Sequence, residues 1–216
     1  MLLLDALSPA PRTVRMYLAE KALTIPMQRV DVFAGENRQA PFLARNPAGQ
    51  TPALVLDDGT AIAESVAVME YLEELHPDPP LIGATPQERA LTRQWQRRIE
   101  LNITEHIHNA YHYAEGLARF KTRIPVAPEA ADGLKRVAQD RIAWLDGMLD
   151  GHGFVTGNRF TIADIWLYVW LDFADSVGQP FDRGLSNLAP WFARIASRPS
   201  AAASLHPACK PGGVRG

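Results

Sequence analysis

The sequence predicts a small α/β domain followed by an all-helical domain. Short apolar segments alternate with helical patterns as far as about His76, and a cluster of prolines follows. Beyond that cluster the alternation of β-branched residues that is typical of strands is absent. The 216 residues, 47% of them hydrophobic, are enough to bury a core in both parts.

The first four elements are predicted in the order βαβα. LLLDAL is short and apolar and ends at a Ser-Pro step, which indicates a buried strand. Pro9 and Pro11 suit the first turn of the helix that VRMYLAEKAL continues, because a missing N–H costs nothing there. MQRVDVF alternates as a second strand, and PFLARN has room for one short helix.

A hairpin and a helix complete the first domain as βαβαββα. PALVL and TAIA read as two short strands joined by Asp58 and Gly59, a frequent turn pair. ESVAVMEYLEELH then places its apolar residues on one helical stripe. We therefore assign residues 1–78 to the α/β domain and about 79–86, which are rich in proline, to a linker.

The remaining residues, 87–216, are predicted to be all-helical. Residues 87–118 form one long helical pattern, and three more amphipathic or apolar segments follow. The most apolar of these starts at Thr161 with Asp164 three places on, which predicts a reciprocal N-terminal cap. We expect the tail from Lys210 to be loose.

Charge and cysteine usage exclude several classes of protein. The net charge is −2, and the 22 basic and 24 acidic residues are mixed along the chain, so we expect no nucleic-acid partner and no membrane partner. Cys209 is the only cysteine, which rules out a disulfide framework and a cysteine metal site. These features favour a cytoplasmic location.

Ser8 stands where the first strand meets the first helix, at a positively polarised helix N-terminus. It precedes Pro11 by three positions, the spacing of a Cys-x-x-Cys redox pair. Both cysteines are missing, so thiol–disulfide exchange is excluded at this place. Two interpretations remain open from the residues: Ser8 caps the helix, or its hydroxyl serves a bound molecule.

Four motifs in chain order resemble the cytosolic glutathione transferase superfamily, serine/cysteine type. They are Ser8-Pro-x-x-Arg12-x-Val14-Arg15, Asn46-Pro-Ala-Gly-Gln50-Thr-Pro52-Ala-Leu54, Glu64-Ser65 at a helix start, and Phe160-Thr-Ile-Ala-Asp164-Ile. The resemblance implies a thioredoxin-like first domain that binds glutathione as co-substrate, and a helical domain that forms the electrophile pocket. It also implies a hydrophobic electrophile, a homodimer, a role in detoxification, and no metal or nucleotide.

The same resemblance implies roles for the residues that match its motifs. Ser8 would stabilise the glutathione thiolate. Thr51 and Pro52 would form a cis peptide step that lets the main chain pair with the cysteinyl part of glutathione. Glu64 and Ser65 would hold the γ-glutamyl end.

Gln50 would contact the backbone or the glycyl end of glutathione. Asn37, Arg38 and Gln39 lie where many relatives place a His or Lys for the glycyl carboxylate, and they offer no clear match. We expect these three to form a solvated loop.

The long helical pattern carries several residues suited to a second substrate. The resemblance makes this helix a wall of the electrophile pocket, so His106, Asn109 and Tyr113 are possible contacts. His108 and His112 share a face four residues apart. Two ligands without a third at useful spacing are a weak metal signal.

The leading hypothesis is a glutathione transferase whose bound thiolate attacks an electrophilic small molecule. The alternatives are a glutathione-dependent isomerase, dehalogenase or lyase of aromatic catabolism, a peroxidase that uses the same thiolate, and a non-catalytic interaction or stress protein. Isomerase relatives typically begin their motif Ser-Ser-Cys, which Ser8-Pro9-Ala10 does not reproduce. A scaffold has no need for Ser8, Thr51-Pro52 and Glu64-Ser65 together.

Overall fold

A computed structural model describes residues 1–216 and divides them into two compact units. The α/β unit consists of Met1–Leu81 together with Arg198–Gly216, and the helical unit is Ile82–Ser197. The sequence placed all of 87–216 in the helical domain, whereas the last part of the chain packs with the α/β unit. No helix is long and apolar enough to cross a membrane.

The α/β unit is built on a four-stranded sheet in the order β2-β1-β3-β4. β1 pairs parallel with β2, while the β1–β3 and β3–β4 pairs are antiparallel. The predicted βαβαββα order is confirmed. Its elements are β1 (Leu2–Asp5), α1 (Pro9–Glu20), β2 (Met27–Arg29), α2 (Ala40–Leu43), β3 (Ala53–Val55), β4 (Ala61–Ala63) and α3 (Ser65–Leu75).

Apolar residues of β1, β3, α1 and α3 form the core of this unit. Leu3 and Leu54 oppose one another across the central strand pair and are fully buried. Burial of a leucine side chain stabilises the fold by about 1.5–3 kcal/mol. The helices contribute the buried side chains of Val14, Met16, Tyr17, Val68, Met69 and Leu72.

Polar contacts tie the end of the chain to α1. Arg198 pairs with Glu20 through two nitrogen–oxygen contacts of 2.7 Å. The buried Arg12 donates from Nε to Ser204 Oγ at 3.2 Å, and the buried Arg15 donates from Nε to the Ser204 carbonyl at 2.8 Å. These guanidinium groups need acceptors once they are removed from water, which is why the chain beyond Ser197 joins the α/β unit.

The tail from Lys210 is ordered by turns, so the expectation of a loose tail is wrong. Gly213 donates its N–H to the Lys210 carbonyl at 2.9 Å, and His206 donates its N–H to the Gly216 carbonyl at 3.0 Å. Gly216 itself is buried. The tail therefore returns to its own unit.

The helical unit contains six helices and, as predicted, no strand ladder. The pattern predicted as one helix over 87–118 is interrupted twice: by a π-helical turn at Glu100–Thr104 and by a break after Tyr113. At the break, Gly116 donates its N–H to the Tyr111 carbonyl at 2.7 Å, a bond that closes a helix end. The helices are α4 (Pro86–Ile99), α5 (Glu105–Tyr113), α6 (Leu117–Phe120), α7 (Ala131–Met148), α8 (Ile162–Ser176) and α9 (Leu188–Ala196); α10 (Pro199–Ala203) belongs to the α/β unit.

The predicted cap of α8 is confirmed as a capping box. Ala163 donates its N–H to Thr161 Oγ1 at 3.3 Å, and Thr161 donates its own N–H to Asp164 Oδ2 at 2.9 Å. Asp164 Oδ1 also accepts from the Val155 N–H at 2.8 Å and from Trp191 Nε1 at 2.9 Å. Burial raises the pKa of Asp164 to about 6. This carboxyl group therefore joins α8 to the preceding loop and to α9.

Candidate functional site

Ser8 occupies the N-cap position of α1 without capping it. Its backbone is extended, with φ −161° and ψ 162°, and its hydroxyl makes no capping hydrogen bond. A capping serine accepts from the second or third helical residue, and the third residue here is Pro11, which has no N–H. The hydroxyl of Ser8 is thus not used by the helix that it precedes.

The two prolines also limit what else the start of α1 can donate. Of Pro9, Ala10 and Pro11, only Ala10 has a backbone N–H. The positive end of the helix dipole remains at this place. A negative charge bound beside α1 would therefore depend on the Ser8 hydroxyl more than it would at an ordinary helix start.

The start of α3 lies against the start of α1. Ser65, the first residue of α3, is buried and donates its hydroxyl to the Ala10 carbonyl at 2.9 Å. Glu64 before it is exposed and has φ 66° and ψ 121°, in the region that favours glycine. Holding a non-glycine residue there costs about 1–3 kcal/mol, and such strain clusters at functional sites.

Two asparagine side chains hold the loop before β3. Asn46 donates from Nδ2 to the Gln50 carbonyl at 2.8 Å, and Asn37 donates from Nδ2 to the Gly49 carbonyl at 2.7 Å. Gly49 has φ 63°, a conformation that other residues rarely adopt. The Thr51–Pro52 peptide bond is cis, as the resemblance implied.

Asn37 departs from the sequence-based expectation of a solvated loop. Arg38 and Gln39 are exposed as expected, but Asn37 is only 8% exposed and lies in a 3₁₀ turn, Glu36–Arg38. The reason is the chain reversal at Gly49, whose carbonyl points inward and needs a donor. A buried structural role cannot be read from a polar stretch such as GENRQAP, since nothing local distinguishes Asn37 from its neighbours.

The sheet places the remaining residues at one edge. β1 and β3 are antiparallel with Leu4 opposite Ala53, so the carboxyl end of β1 meets the amino end of β3. β4 is antiparallel to β3 with Ala63 opposite Ala53, so its carboxyl end lies at the same edge. Each of these strand ends adjoins one motif: Ser8 follows β1, Thr51-Pro52 precedes β3, and Glu64-Ser65 follows β4.

Thr51 lies outside the strand ladders, which begin at Ala53 on β3. Gln50 beside it is exposed. The Thr51–Pro52 peptide step is therefore positioned by the sheet but takes no part in its strand pairing. An extended peptide could pair with the main chain at this place in the manner of an added strand.

On the helical unit, His106, Asn109 and Tyr113 lie on α5 and are partly buried. A ring cluster lies beside them that no sequence motif predicts. Its closest ring-centroid distances are 3.9 Å for His112 and Phe120, 4.1 Å for His108 and His112, and 5.1 Å for His108 and Trp170. The cluster joins α5 to α6 and α8, and only these long-range contacts reveal it.

Burial in this ring cluster suppresses protonation of both histidines. It lowers the pKa of His108 to about 4 and that of His112 to about 3, and the neighbouring His108 lowers the latter further. Both rings are therefore neutral at pH 7. No group of three His, Cys, Asp or Glu side chains is arranged to hold a metal ion.

Comparison with known proteins identifies the family. The N-terminal domain model of the glutathione S-transferases matches residues 7–75, and their C-terminal domain model matches residues 128–194. Glutathione S-transferase 2 of Saccharomyces cerevisiae is 33% identical over 89% of this chain and 83% of its own length. The chain belongs to the glutathione S-transferase family. The fold is therefore a thioredoxin-like domain followed by the helical domain of that family.

A second curated relative and a solved structure show further similarity to this glutathione S-transferase. The maleylacetoacetate isomerase of Pseudomonas aeruginosa is 30% identical over 78% of this chain and 78% of its own. The crystal structure of a glutathione S-transferase domain-containing protein from Marinobacter aquaeolei VT8 superposes with a TM-score of 0.87 at 38% identity, covering 93% of this chain and 99% of that one. The family match over 7–75 contains Ser8, Thr51-Pro52 and Glu64-Ser65.

Proposed function

We propose that this protein is a glutathione transferase that binds glutathione at the shared strand edge and activates its thiol through Ser8. One observation carries the proposal: the Ser8 hydroxyl, unused by α1, stands at the same sheet edge as Thr51-Pro52 and Glu64-Ser65. A bound thiol at this place would meet a hydroxyl donor and the positive end of a helix.

The proposed chemistry is ionisation of the thiol followed by nucleophilic attack. A free thiol has a pKa of about 8.5, so only a few per cent is thiolate at pH 7. Donation of the Ser8 hydroxyl to the sulfur favours the thiolate and lowers that pKa. The thiolate then forms a carbon–sulfur bond with an electrophilic carbon, whose leaving group departs with the bonding electron pair. The thiol proton passes to solvent.

The remaining residues would bind the tripeptide. The main chain of Thr51, before Pro52, would pair with the cysteinyl backbone, and Gln50 would contact the backbone or glycyl end. The hydroxyl of Ser65 already donates to the Ala10 carbonyl, so backbone N–H groups at the start of α3 are the better donors to the γ-glutamyl carboxylate. The exposed Glu64 would hold the ammonium group.

The proposal extends to the second substrate and to assembly. His106, Asn109 and Tyr113 on α5 would contact a hydrophobic electrophile, with the neutral His108 and His112 rings beside them. We further propose a cytoplasmic homodimer with a role in detoxification. Light scattering should then report twice the 23.8 kDa mass of the chain.

Calorimetry with glutathione and turnover of 1-chloro-2,4-dinitrobenzene test the proposal together. We expect saturable heat at millimolar glutathione or below, retention on immobilised glutathione, and formation of the conjugate. Failure to bind millimolar glutathione would contradict the proposed site. Binding without turnover of any electrophile would instead support the non-catalytic interaction protein.

A glutathione-dependent isomerase is the second candidate. The similarity to the Pseudomonas aeruginosa isomerase favours it, while Ser8-Pro9-Ala10 in place of Ser-Ser-Cys speaks against it. Parallel assays with maleylacetoacetate and 1-chloro-2,4-dinitrobenzene separate the two. A higher kcat/KM for isomerisation than for conjugation would select the isomerase.

A further inference from the structure

The α/β unit contains a cavity of about 640 Å³ that none of the proposed glutathione-binding residues lines. It lies between the second half of α1, the segment that leads into β2, and the chain after α10. Pockets that bind small molecules occupy about 300–1,000 Å³. The cavity is therefore large enough for a ligand of its own.

One end of this cavity carries more positive than negative groups. Asp5, the single carboxylate in the lining, is ion-paired with Arg15, and His206 Nε2 lies 3.6 Å from Asp5 Oδ2. Arg29 stands directly opposite Asp5 in the β1–β2 register. Two arginines thus share one carboxylate.

Neither arginine is fully satisfied by this arrangement. Arg15 is buried, yet its Nη2 has no hydrogen-bond partner. Arg29 is exposed and has no ion-pair partner within 4.0 Å, and the other carboxylate that it attracts, Asp31, does not line the cavity. Burial lowers the pKa of His206; the charge of Asp5 opposes this shift, and the charges of Arg15 and Arg29 add to it, so both arginines act on the same place. The cavity end can take an added negative charge.

The rest of the cavity lining is mainly apolar. Leu18, Leu23 and Ile25 line its wall. Met27 and Leu205, also in the lining, are 46% and 37% exposed, which is high for large apolar side chains. An exposed apolar surface rimmed by polar groups marks a binding site.

We propose that this cavity binds a small organic monocarboxylate with an apolar body. The carboxylate interacts with Arg29 and Arg15, and the hydrocarbon lies against Met27, Leu205 and the apolar wall. The site is separate from the proposed catalysis and does not depend on it. Binding is non-covalent, and the ligand leaves unchanged.

Calorimetry with octanoate and 1-octanol tests the charge requirement. We expect the wild-type protein to bind octanoate about two- to fivefold more tightly than octanol, as for a solvent-accessible ion pair. Arg29→Gln should remove this preference. Gln28→Glu is the matched control, since it changes the charge by the same amount on the neighbouring exposed residue, which does not line the cavity. An equal preference in wild type and Arg29→Gln, or no octanoate binding, would overturn the proposal.

Nuclear magnetic resonance of ¹³C-methyl-labelled methionine locates the ligand. Octanoate should shift the Met27 methyl signal, because Met27 lines the cavity. Leu205→Ser should weaken octanoate binding by about threefold or more through lost apolar contact. Leu101→Ser, on the helical unit and 49% exposed, should leave it unchanged. Saturable octanoate binding without a Met27 shift would place the ligand elsewhere and refute the proposed site.

Discussion

Ser8 shows how two neighbouring prolines determine what a helix-start serine can do. With Pro11 at the third helical position, one of the two N–H groups that could make the hydroxyl a cap is missing, and the hydroxyl makes no bond to the other, that of Ala10. The sequence contains this signal, because the identity of residue 11 is enough to weaken the capping interpretation. The tertiary structure adds the neighbours at the sheet edge.

Ser8→Ala should leave glutathione affinity nearly unchanged and lower kcat by about tenfold or more, because the sulfur loses its hydroxyl donor. The pH profile of kcat/KM should move to higher pH as the thiol pKa rises toward its ordinary value. Steady-state kinetics between about pH 6 and 9, a range that spans the thiol pKa, measure both kcat and the pH profile. Ser197→Ala removes an exposed hydroxyl bonded to the Arg194 carbonyl and serves as the control. An unaltered rate for Ser8→Ala would remove Ser8 from the mechanism.

Gly216 lies against Ser8, and substitution there tests how closely Ser8 must be positioned. A Cβ at residue 216 would lie 2.6 Å from Ser8 N and 2.7 Å from Ser8 Cα, so one of the two segments must move. We expect Gly216→Ala to lower kcat by about tenfold through a misplaced hydroxyl. Gly147→Ala, where a Cβ meets nothing within 4 Å, should have no effect. Equal kcat values for the two variants would show that the contact is irrelevant to turnover.

At the scale of elements, strand ends and helix starts build the candidate site. β1, β3 and β4 bring their ends to one edge, and the Ser65 hydroxyl bonds α3 to α1. The strands were predictable from short apolar runs and the Asp58-Gly59 turn. The π-helical turn at Glu100–Thr104 was not, because it inserts a residue into an otherwise helical pattern without any breaker.

Substitution in the capping box of α8 should lower the free energy of unfolding more than substitution in any other cap of the helical unit. Asp164→Asn should lower the free energy of unfolding by about 1–3 kcal/mol, since one amide cannot accept all the N–H donors around this group. The folded state holds the Asp164 proton up to a pKa of about 6, above the ordinary 3.8. The stability from this group is therefore complete below pH 4 and is lost as pH rises through about 6.

Urea unfolding of wild type and Asp164→Asn between these pH values measures both effects. The wild-type advantage should shrink as pH rises through this window. Thr161→Ala, which removes only the hydroxyl of the box, should cost about 1 kcal/mol without that pH dependence. An advantage that grows with pH would mean that Asp164 is ionised in the folded protein throughout.

At the scale of the whole molecule, the buried histidines and Asp164 have opposite effects on the change of stability with pH. His108 and His112 stay neutral in the folded chain down to pKa values of about 4 and about 3, whereas unfolded histidine protonates near 6.5. The unfolded state binds more protons in this window, so falling pH destabilises the fold.

His112→Phe should reduce this acid sensitivity while keeping a ring against Phe120. We expect the slope of unfolding free energy against pH, between about 6 and 4.5, to fall by up to about 1 kcal/mol per pH unit, allowing for partial exposure. Urea unfolding at several pH values measures the slope. His152→Phe, at an exposed loop position, is the control. An unchanged slope would show that His112 titrates normally.

The sequence by itself determined the order of elements, the two-part architecture and the cap of α8. These follow from local periodicity, turn residues and caps, which act over a few positions. It also supplied the motif order by which the family is recognisable. The same motif order predicts the places of Ser8, Thr51-Pro52 and Glu64-Ser65 in the proposed site.

The tertiary structure alone decided where the chain's end belongs, what Asn37 does and where the ring cluster and the second cavity lie. Each depends on groups that are distant in sequence: Ser204 accepting from Arg12 and Arg15, Gly49 accepting from Asn37, and Leu205 lining the same cavity as Met27. Buried polar groups take whichever partner the fold brings near, because leaving them unpaired costs more than any local preference supplies. Such partners cannot be read from neighbours along the chain.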